Sequence, residues 1–455
     1  MRIHFIGIGG IGVSALAKYY LEKGHEISGS DLAPSEITDA LKKMGAKIII
    51  PHQNKFSMGQ VGKHKLPDLV VYSPAVPEDN PELKDARKHG IKCQSYPEAL
   101  GKLTKTHFTI AVSGTHGKST TTAMIGILLT SAGLDPTVIV GTKLKEFSAQ
   151  GGLASGEGSN CRVGKSKRLV IEADEHFASF LNYWPKIIVL TAIEKDHLDY
   201  YKNLKNILKT FGGYINHLSQ DGWLVANKDD KNIFQLAKNR KQKTIFYSLK
   251  QPEEKEFKKI LKIPGEHNVS NALAALTVAR LLKIPDEISF KALSKYKGAW
   301  RRFEIHQKTV NSKQITVVSD YGHHPTEVFV TLKAAREKFK NKKIWCIFQP
   351  HQYQRTFYLF KNFIKLLRQA RNQLFVDKLI ITDIYDVAGR EDKEIKRRVS
   401  AQKLVKAIKK QGVIYLPQNK IINYLKKNLK GGEVVIIMGA GDIYKISKNL
   451  QRTGL

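Results

Sequence analysis

Residues 114 to 120 read Gly-Thr-His-Gly-Lys-Ser-Thr, one residue after the apolar run "FTIAV" and directly before "TTAMIGILLTSAG". Gly114 and Gly117 allow a tight path of backbone amides around phosphate oxygens. Lys118 supplies a point charge for terminal phosphates, and Ser119 or Thr120 a hydroxyl for Mg²⁺. The usual first glycine of such a loop is replaced by Val112, which shortens the cradle without removing amides, lysine or hydroxyl. The competing reading is a polar helix cap, in which a hydroxyl satisfies free N–H groups. A Gly-Lys-Ser triplet at a strand-to-helix junction favours phosphate.

Two further apolar runs stop at acids. "RLVI" leads into Glu172, Asp174 and Glu175, and "IIVLTAIEK" into Asp196 and His197. Such runs read as buried parallel strands whose C-terminal ends open onto a site. Hard Mg²⁺ takes carboxylate, hydroxyl and phosphate oxygens, so Ser119 and Glu172 can share one ion. His197 could bind a second ion, orient a ligand, or be an ordinary packed histidine.

A second glycine turn, "GIGGIG", places Gly7, Gly9 and Gly12 between a strand and a helix in the G-x-G-x-x-G spacing, with Asp31 ending the next strand. Taken alone it suggests a dinucleotide; the same amides would hold the diphosphate of another nucleotide. Asn268 and Asn271 lie three apart at a helix start, where their amides could read an adenine edge or cap the helix. Asp320, His323, His324, His351 and Arg355 crowd just past strand ends in the last third. No third ligand at a familiar zinc spacing accompanies the paired histidines, so phosphate or carboxylate binding is the better reading.

Strands alternating with helices must position these groups. "RIHFIGI", "EISGSDL" and "DLVVYSP" open the chain; "HFTIAVSG", "RLVIEADE" and "KIIVLTAIEKDH" follow; "KIWCIFQP", "KLIITDI" and "EVVIIMGAG" close it. A Gly/Ser-rich stretch, 148 to 168, interrupts the middle. The pattern predicts α/β architecture with mostly parallel, doubly wound sheets. The 455 residues are enough for roughly three domains, divided at 1–104, 105–299 and 300–455.

Composition excludes several classes. Hydrophobic residues make up 42% and charged residues 25%, with no apolar run long enough to span a bilayer. The glycine-broken N-terminus does not read as a signal peptide. Cys93, Cys161 and Cys346 are far apart, which argues against a disulfide framework or a CxxC metal site. A cytoplasmic protein is expected. Lys and Arg number 75 against 41 Asp and Glu, a net charge of +34. The lysines are spread along the chain at helical surface spacing, so a basic surface is preferred to nucleic-acid binding.

"HFIGIGGIG", "SGSDL", "SGTHGKSTTT", "EADE", "KDHLDYY", "GEHNVSNALAA", "RRFE", "DYGHHPTE", "FQPHQYQRT" and "MGAGDI" occur in the order found in the Mur ligases, which the chain resembles over nearly its entire length. The resemblance implies a Rossmann-like UDP-sugar domain, a central ATPase domain and a Rossmann-like C-terminal amino-acid domain. The first glycine turn then holds UDP and not NAD, with Gly7, Gly9, Gly10, Ile11, Gly12, Ser30, Asp31 and Ser73 around it. It further implies that ATP and Mg²⁺ convert the carboxylate of UDP-N-acetylmuramate to an acyl phosphate, which the amine of L-alanine attacks. Gly114, Thr115, His116, Gly117, Lys118, Ser119 and Thr120 would hold ATP. Ser119 and Glu172 would hold one Mg²⁺ and His197 a second. His267, Asn268 and Asn271 would approach adenine, and Arg302, Asp320, His324 and Arg355 the nucleotide, acyl phosphate or alanine.

The chain departs from the family pattern at Gln352, where H-R-Y-x-R has its first arginine, and at His176 and Phe177, where small polar and acidic residues are usual. Lys209 is the lysine nearest the place where some sister ligases carry a carbamylated one, and that role is not assigned to it. The competing readings are a sister ligase that attaches a preformed peptide, glycine or serine, an NAD-dependent oxidoreductase, and a basic nucleic-acid-binding ATPase.

Overall fold

The computed structural model describes residues 1–50, 66–150, 158–310, 312–387 and 392–450; the centre of the Gly/Ser-rich stretch, 151–157, lies outside them. Every strand expected above is present, and the strands form three sheets. The first is β3-β2-β1-β4-β5, from β1 (Arg2–Ile6), β2 (Glu26–Ser30), β3 (Lys47–Ile49), β4 (Leu69–Tyr72) and β5 (Cys93–Ser95). All its pairings are parallel. The chain winds to one side of β1 through β2 and β3, then to the other through β4. The crevice at that reversal, beyond the carboxyl ends of β1 and β4, is where such sheets bind ligands.

The second sheet contains β6 (Phe108–Ser113), β7 (Thr137–Leu144), β8 (Ser159–Arg162), β9 (Arg168–Glu172), β10 (Ile187–Leu190), β11 (Trp223–Asn227) and β12 (Lys243–Tyr247). Its order is β12-β11-β10-β6-β9-β7-β8, with only β8 antiparallel among the pairs of described strands. β6 is therefore flanked by β9 and β10, the two runs that end in acids. The third sheet is β13-β14-β18-β15-β16-β17, from β13 (Glu304–Val310), β14 (Lys313–Asp320), β15 (Ile344–Phe348), β16 (Lys378–Ile381), β17 (Val413–Tyr415) and β18 (Val434–Met438). The β13–β14 hairpin is antiparallel. Periodicity did not single β13 out, because residue type there does not follow burial: Ile305 is exposed and Lys308 is buried.

β15 and β18 are buried at every position. Both faces of the third sheet are covered: Val318, Cys346, Phe348 and Ile436 pack on one side, and Val317, Ile347, Val435 and Ile437 on the other. Removing such side chains from water, at about 25 cal/mol per Å² of apolar surface, is what holds parallel strands together.

Two compact units result. One comprises Met1–Ile193, Leu208–Gln251 and Asn271–Ser294 and contains the first two sheets. The other comprises Glu194–Ile207, Pro252–Ser270 and Lys295–Leu455 and contains the third. No helix among the described residues is long and apolar enough to cross a membrane.

Candidate active site

In the first unit, β6 ends at Ser113 and the loop turns through Gly114 (φ +137°) and Gly117 (φ +80°). A Cβ at Gly114 would stand 2.4 Å from Thr191 Oγ1, and one at Gly117 2.6 Å from Asn271 Oδ1. Both glycines are thus required by backbone angle and by close approach. The helix Lys118–Ser131 begins with no side-chain cap on its first amides. That leaves a partial positive charge at the loop, the usual seat of a phosphate.

Lys118 Nζ donates to Gly114 O at 2.7 Å and to the Glu175 carboxylate at 2.8 Å. Burial pulls the ammonium toward neutrality, but Glu175, Asp174 and Glu172 together outweigh it and hold the amine charged. Burial also raises the Glu175 carboxyl, against the opposing charge of Lys118. Ser119 Oγ donates to Glu172 Oε1 at 3.0 Å, while Glu172 Oε2 accepts the Gly141 N–H at 2.8 Å. A hydroxyl beside a carboxylate is an all-oxygen donor set, which fits a hard divalent cation.

Thr191, at the end of β10, donates to Ser113 O at 3.1 Å and also to His116 O. Thr115 N–H donates to Ala192 O at 2.7 Å. Asn227 holds Thr191 O at 2.8 Å. Sequence reasoning missed Thr191 and Asn227; their signal was position alone, at the ends of β10 and β11. Asn271 Oδ1 accepts the Thr121 hydroxyl at 3.1 Å, so this asparagine meets the phosphate-loop helix.

The other glycine turn lies at the carboxyl end of β1. Ser30 O accepts the Gly7 and Ile8 amides at 2.9 and 3.0 Å. The Gly9 N–H donates to Asp31 Oδ2 at 2.7 Å. Ser30 is fully buried, and its hydroxyl donates to Glu82 at 2.6 Å, beside His4. Ser73 Oγ accepts the Ala75 amide at 3.2 Å, and its Cβ lies 3.0 Å from where a Cβ on Gly7 would be. Gly10 precedes the helix Ile11–Glu22 without a side-chain cap. Over Gly12 sits Tyr96, whose ring would be 2.9 Å from an added Cβ. Burial, then the charges of Glu172 and Asp174, raise the Tyr96 phenol.

In the second unit, Arg355 Nε donates to Asp196 Oδ1 at 2.9 Å, with both side chains buried. Burial opposes ionisation of Asp196, but the Arg355 guanidinium, with His197 beside it, holds its carboxyl well below the usual range. Gln352 Oε1 accepts from Arg355 Nη1 at 3.2 Å, and His351 Nδ1 lies 3.2 Å from the same nitrogen. Burial, then His323 and Arg355, push the His351 imidazole down to about 2; burial brings His323 to about 4. Gln352 has φ +69° and ψ 132°, a backbone conformation that glycine adopts more readily. His324 caps the helix Pro325–Lys338 through Nδ1, and its Nε2 faces Lys195 O at 3.1 Å.

Asp320 accepts the Phe303 and Gly322 amides, both at 2.8 Å. The Arg302 guanidinium lies over the Tyr321 ring at 4.9 Å. Its neighbour Arg301, which sequence reasoning passed over, is 4% exposed and lies among the rings of Trp300, Tyr321 and Tyr444. It donates to the carbonyls of Gly439 and Gly441, pinning the turn after β18. Asn268 Nδ2 donates to Pro264 O at 2.6 Å. His267 packs on Gly265, and His197 starts a short helix at φ +50°.

Three family models tile the chain: the Mur ligase family catalytic domain over residues 2–108, the Mur ligase middle domain over 112–279, and the Mur ligase glutamate ligase domain over 301–441. The chain belongs to the Mur ligase family. A UDP-N-acetylmuramate–L-alanine ligase of Clostridium acetobutylicum is 39% identical, with 98% of this chain and 96% of the relative covered. Among solved structures, a UDP-N-acetylmuramate–alanine ligase from Thermotoga maritima superposes with a TM-score of 0.77 at 27% identity, over 99% of this chain and 98% of that one. A murein peptide ligase from Psychrobacter arcticus shares the fold, with a TM-score of 0.70 at 23% identity over 99% and 98% of the two chains. As a Mur ligase the chain has the three-domain α/β architecture of its relatives.

Proposed function

We propose that this chain joins L-alanine to UDP-N-acetylmuramate with consumption of ATP, through an acyl phosphate, as a step in building peptidoglycan precursors. The observation that carries the reading is the end-to-end likeness, 39% identity over 98% of the chain, to a ligase named for that reaction. The domains are taken as 1–104 for the UDP-sugar, 105–299 for ATP and 300–455 for the amino acid. Free cysteines throughout the described residues suit a cytoplasmic enzyme.

A carboxylate resists attack by an amine because it is already anionic; phosphorylation gives it a leaving group. The protein's work is positioning and charge neutralisation. The amides of Gly114 to Ser119 cradle phosphate, and Lys118 moves from Glu175 to the transferring phosphoryl group. Ser119 and Glu172 would hold one Mg²⁺ and His197 a second, which would supply positive charge against the phosphates. The family resemblance assigns Thr120 and Asn271 of the first unit, and His267, Asn268, Arg302 and Asp320 of the second, to the nucleotide. Arg355 and His324 meet the acyl phosphate or the amino acid. Gly7, Gly9, Gly10, Ile11, Gly12, Ser30, Asp31 and Ser73 form the UDP turn, Ser30 from beneath through its backbone.

The test is ADP release by the purified chain. It should require UDP-N-acetylmuramate and L-alanine together. Release driven by a preformed peptide instead of L-alanine, or clear binding of NAD, would overturn the reading.

A further inference from the structure

The helix Ile11–Glu22, which begins inside the glycine turn of the first sheet, packs against β8 of the second. A set of polar side chains centred on Asn160 lines that joint. Asn160, 2% exposed, donates from Nδ2 to Ile11 O at 2.5 Å and to Ser14 Oγ at 2.9 Å. Its Oδ1 accepts Lys18 Nζ at 2.8 Å, and the same amine reaches Ser159 Oγ at 3.4 Å. Lys18 is 4% exposed and both of its hydrogen-bond partners are neutral. Burial draws its amine down to about 8, partly offset by Cys161 and Glu22 and reinforced by Lys143.

Burying an ammonium and an amide in a joint that leucines could fill costs stability. What the polar set supplies is a fixed register. Ile11 lies within the turn proposed to hold UDP, and β8 is in the sheet whose strand β9 ends at Glu172, the partner of Ser119. We propose that Asn160, locked by Lys18, is a positioning residue that sets the glycine turn against the phosphate-loop sheet, so that the sugar carboxylate and the transferring phosphoryl group meet at reacting distance. This rests on the function proposed above. It concerns neither ATP nor UDP contact itself, so binding and turnover should separate.

Asn160→Asp tests it sharply. Aspartate keeps an acceptor for Lys18, and indeed an ion pair, but loses both N–H donors to the glycine-turn helix. Turnover should fall on the order of tenfold or more, while the dissociation constants of ADP and UDP, measured by calorimetry, stay within about twofold of wild type. Amide exchange should quicken at residues 11–14 and stay unchanged at 118–122. Asn160→Ala and the milder Ser14→Ala, expected to lose about threefold, decide the matter if the aspartate variant does not fold. Unchanged turnover and exchange in the folded variants would overturn the proposal, as would a loss confined to ADP or UDP affinity. Failure of the function reading looks different: wild type would release no ADP with the two named substrates, and the exchange measurement would still report on the joint.

Discussion

The first unit contains two glycine turns of the same outline, each running from a central strand's carboxyl end into a helix, and the protein fills them differently. Around Gly7, Gly9 and Gly12 the space a side chain would take is occupied by Ser73, the Asp31 carboxylate and the Tyr96 ring. The Gly9 amide already donates to Asp31. Around Gly114 and Gly117 the neighbours are Thr191 and Asn271, and a lysine faces three carboxylates. Glycine spacing therefore reports where a backbone must pass closely. The charged side chains beside it report what the turn can do. A turn with an acid and no lysine can orient a hydroxyl-bearing ligand, whereas lysine, hydroxyl and carboxylate together can manage developing phosphoryl charge.

The contrast is broken most directly at Lys118. Lys118→Ala should cut turnover by a hundredfold or more, since a lost contact to developing charge costs about 3 kcal/mol or more. UDP affinity, read by calorimetry, should be unchanged; if it falls in parallel, the two turns are not separate sites. Glu172→Gln comes next. It keeps size and removes the charge that a hard cation needs. Turnover should collapse and the Mg²⁺ requirement rise, whereas superimposable Mg²⁺ curves for variant and wild type would move the ligand to Asp174 or Glu175.

A smaller effect sits behind the first turn, at Lys18. Its folded value of about 8 is below that of a free lysine, so the unfolded chain binds more protons and stability should rise with pH between about 8 and 10.4. The full penalty, present below pH 8, is on the order of 3 kcal/mol. Lys18→Met should therefore flatten the rise of melting temperature with pH across that window; an equal slope in both proteins would refute it. Asp31→Asn should have the least effect, about 1 kcal/mol, as the Gly9 amide exchanges a charged acceptor for a neutral one. Denaturant midpoints would register it, with ADP affinity untouched.

How much of this was legible beforehand follows from which forces are local. Buried parallel strands announce themselves as apolar runs, so β1, β6, β9, β10, β15 and β18 could be read directly. The edge strand β13 could not, because it exposes Ile305 and buries Lys308, so its residue types do not follow its burial. Lys118, Ser119 and Glu172 were legible because a strand end and a loop sequence suffice to bring them together. Thr191, Asn227, Asn160 and Arg301 were not. Each bonds to backbone far away in sequence, and nothing in its own neighbourhood marks it.

His324 was read from sequence as a group that handles charge. Its bonds assign the ring hydrogen to Nε2, since Nδ1 accepts the Thr326 amide and Nε2 donates to Lys195 O. Both nitrogens are committed, one to a helix start and one to the segment that carries Asp196. In this arrangement the imidazole is a rivet and not a proton carrier. For it to shuttle a proton it must first release either the helix cap or Lys195, so acid–base traffic at His324 would be accompanied by a mechanical step.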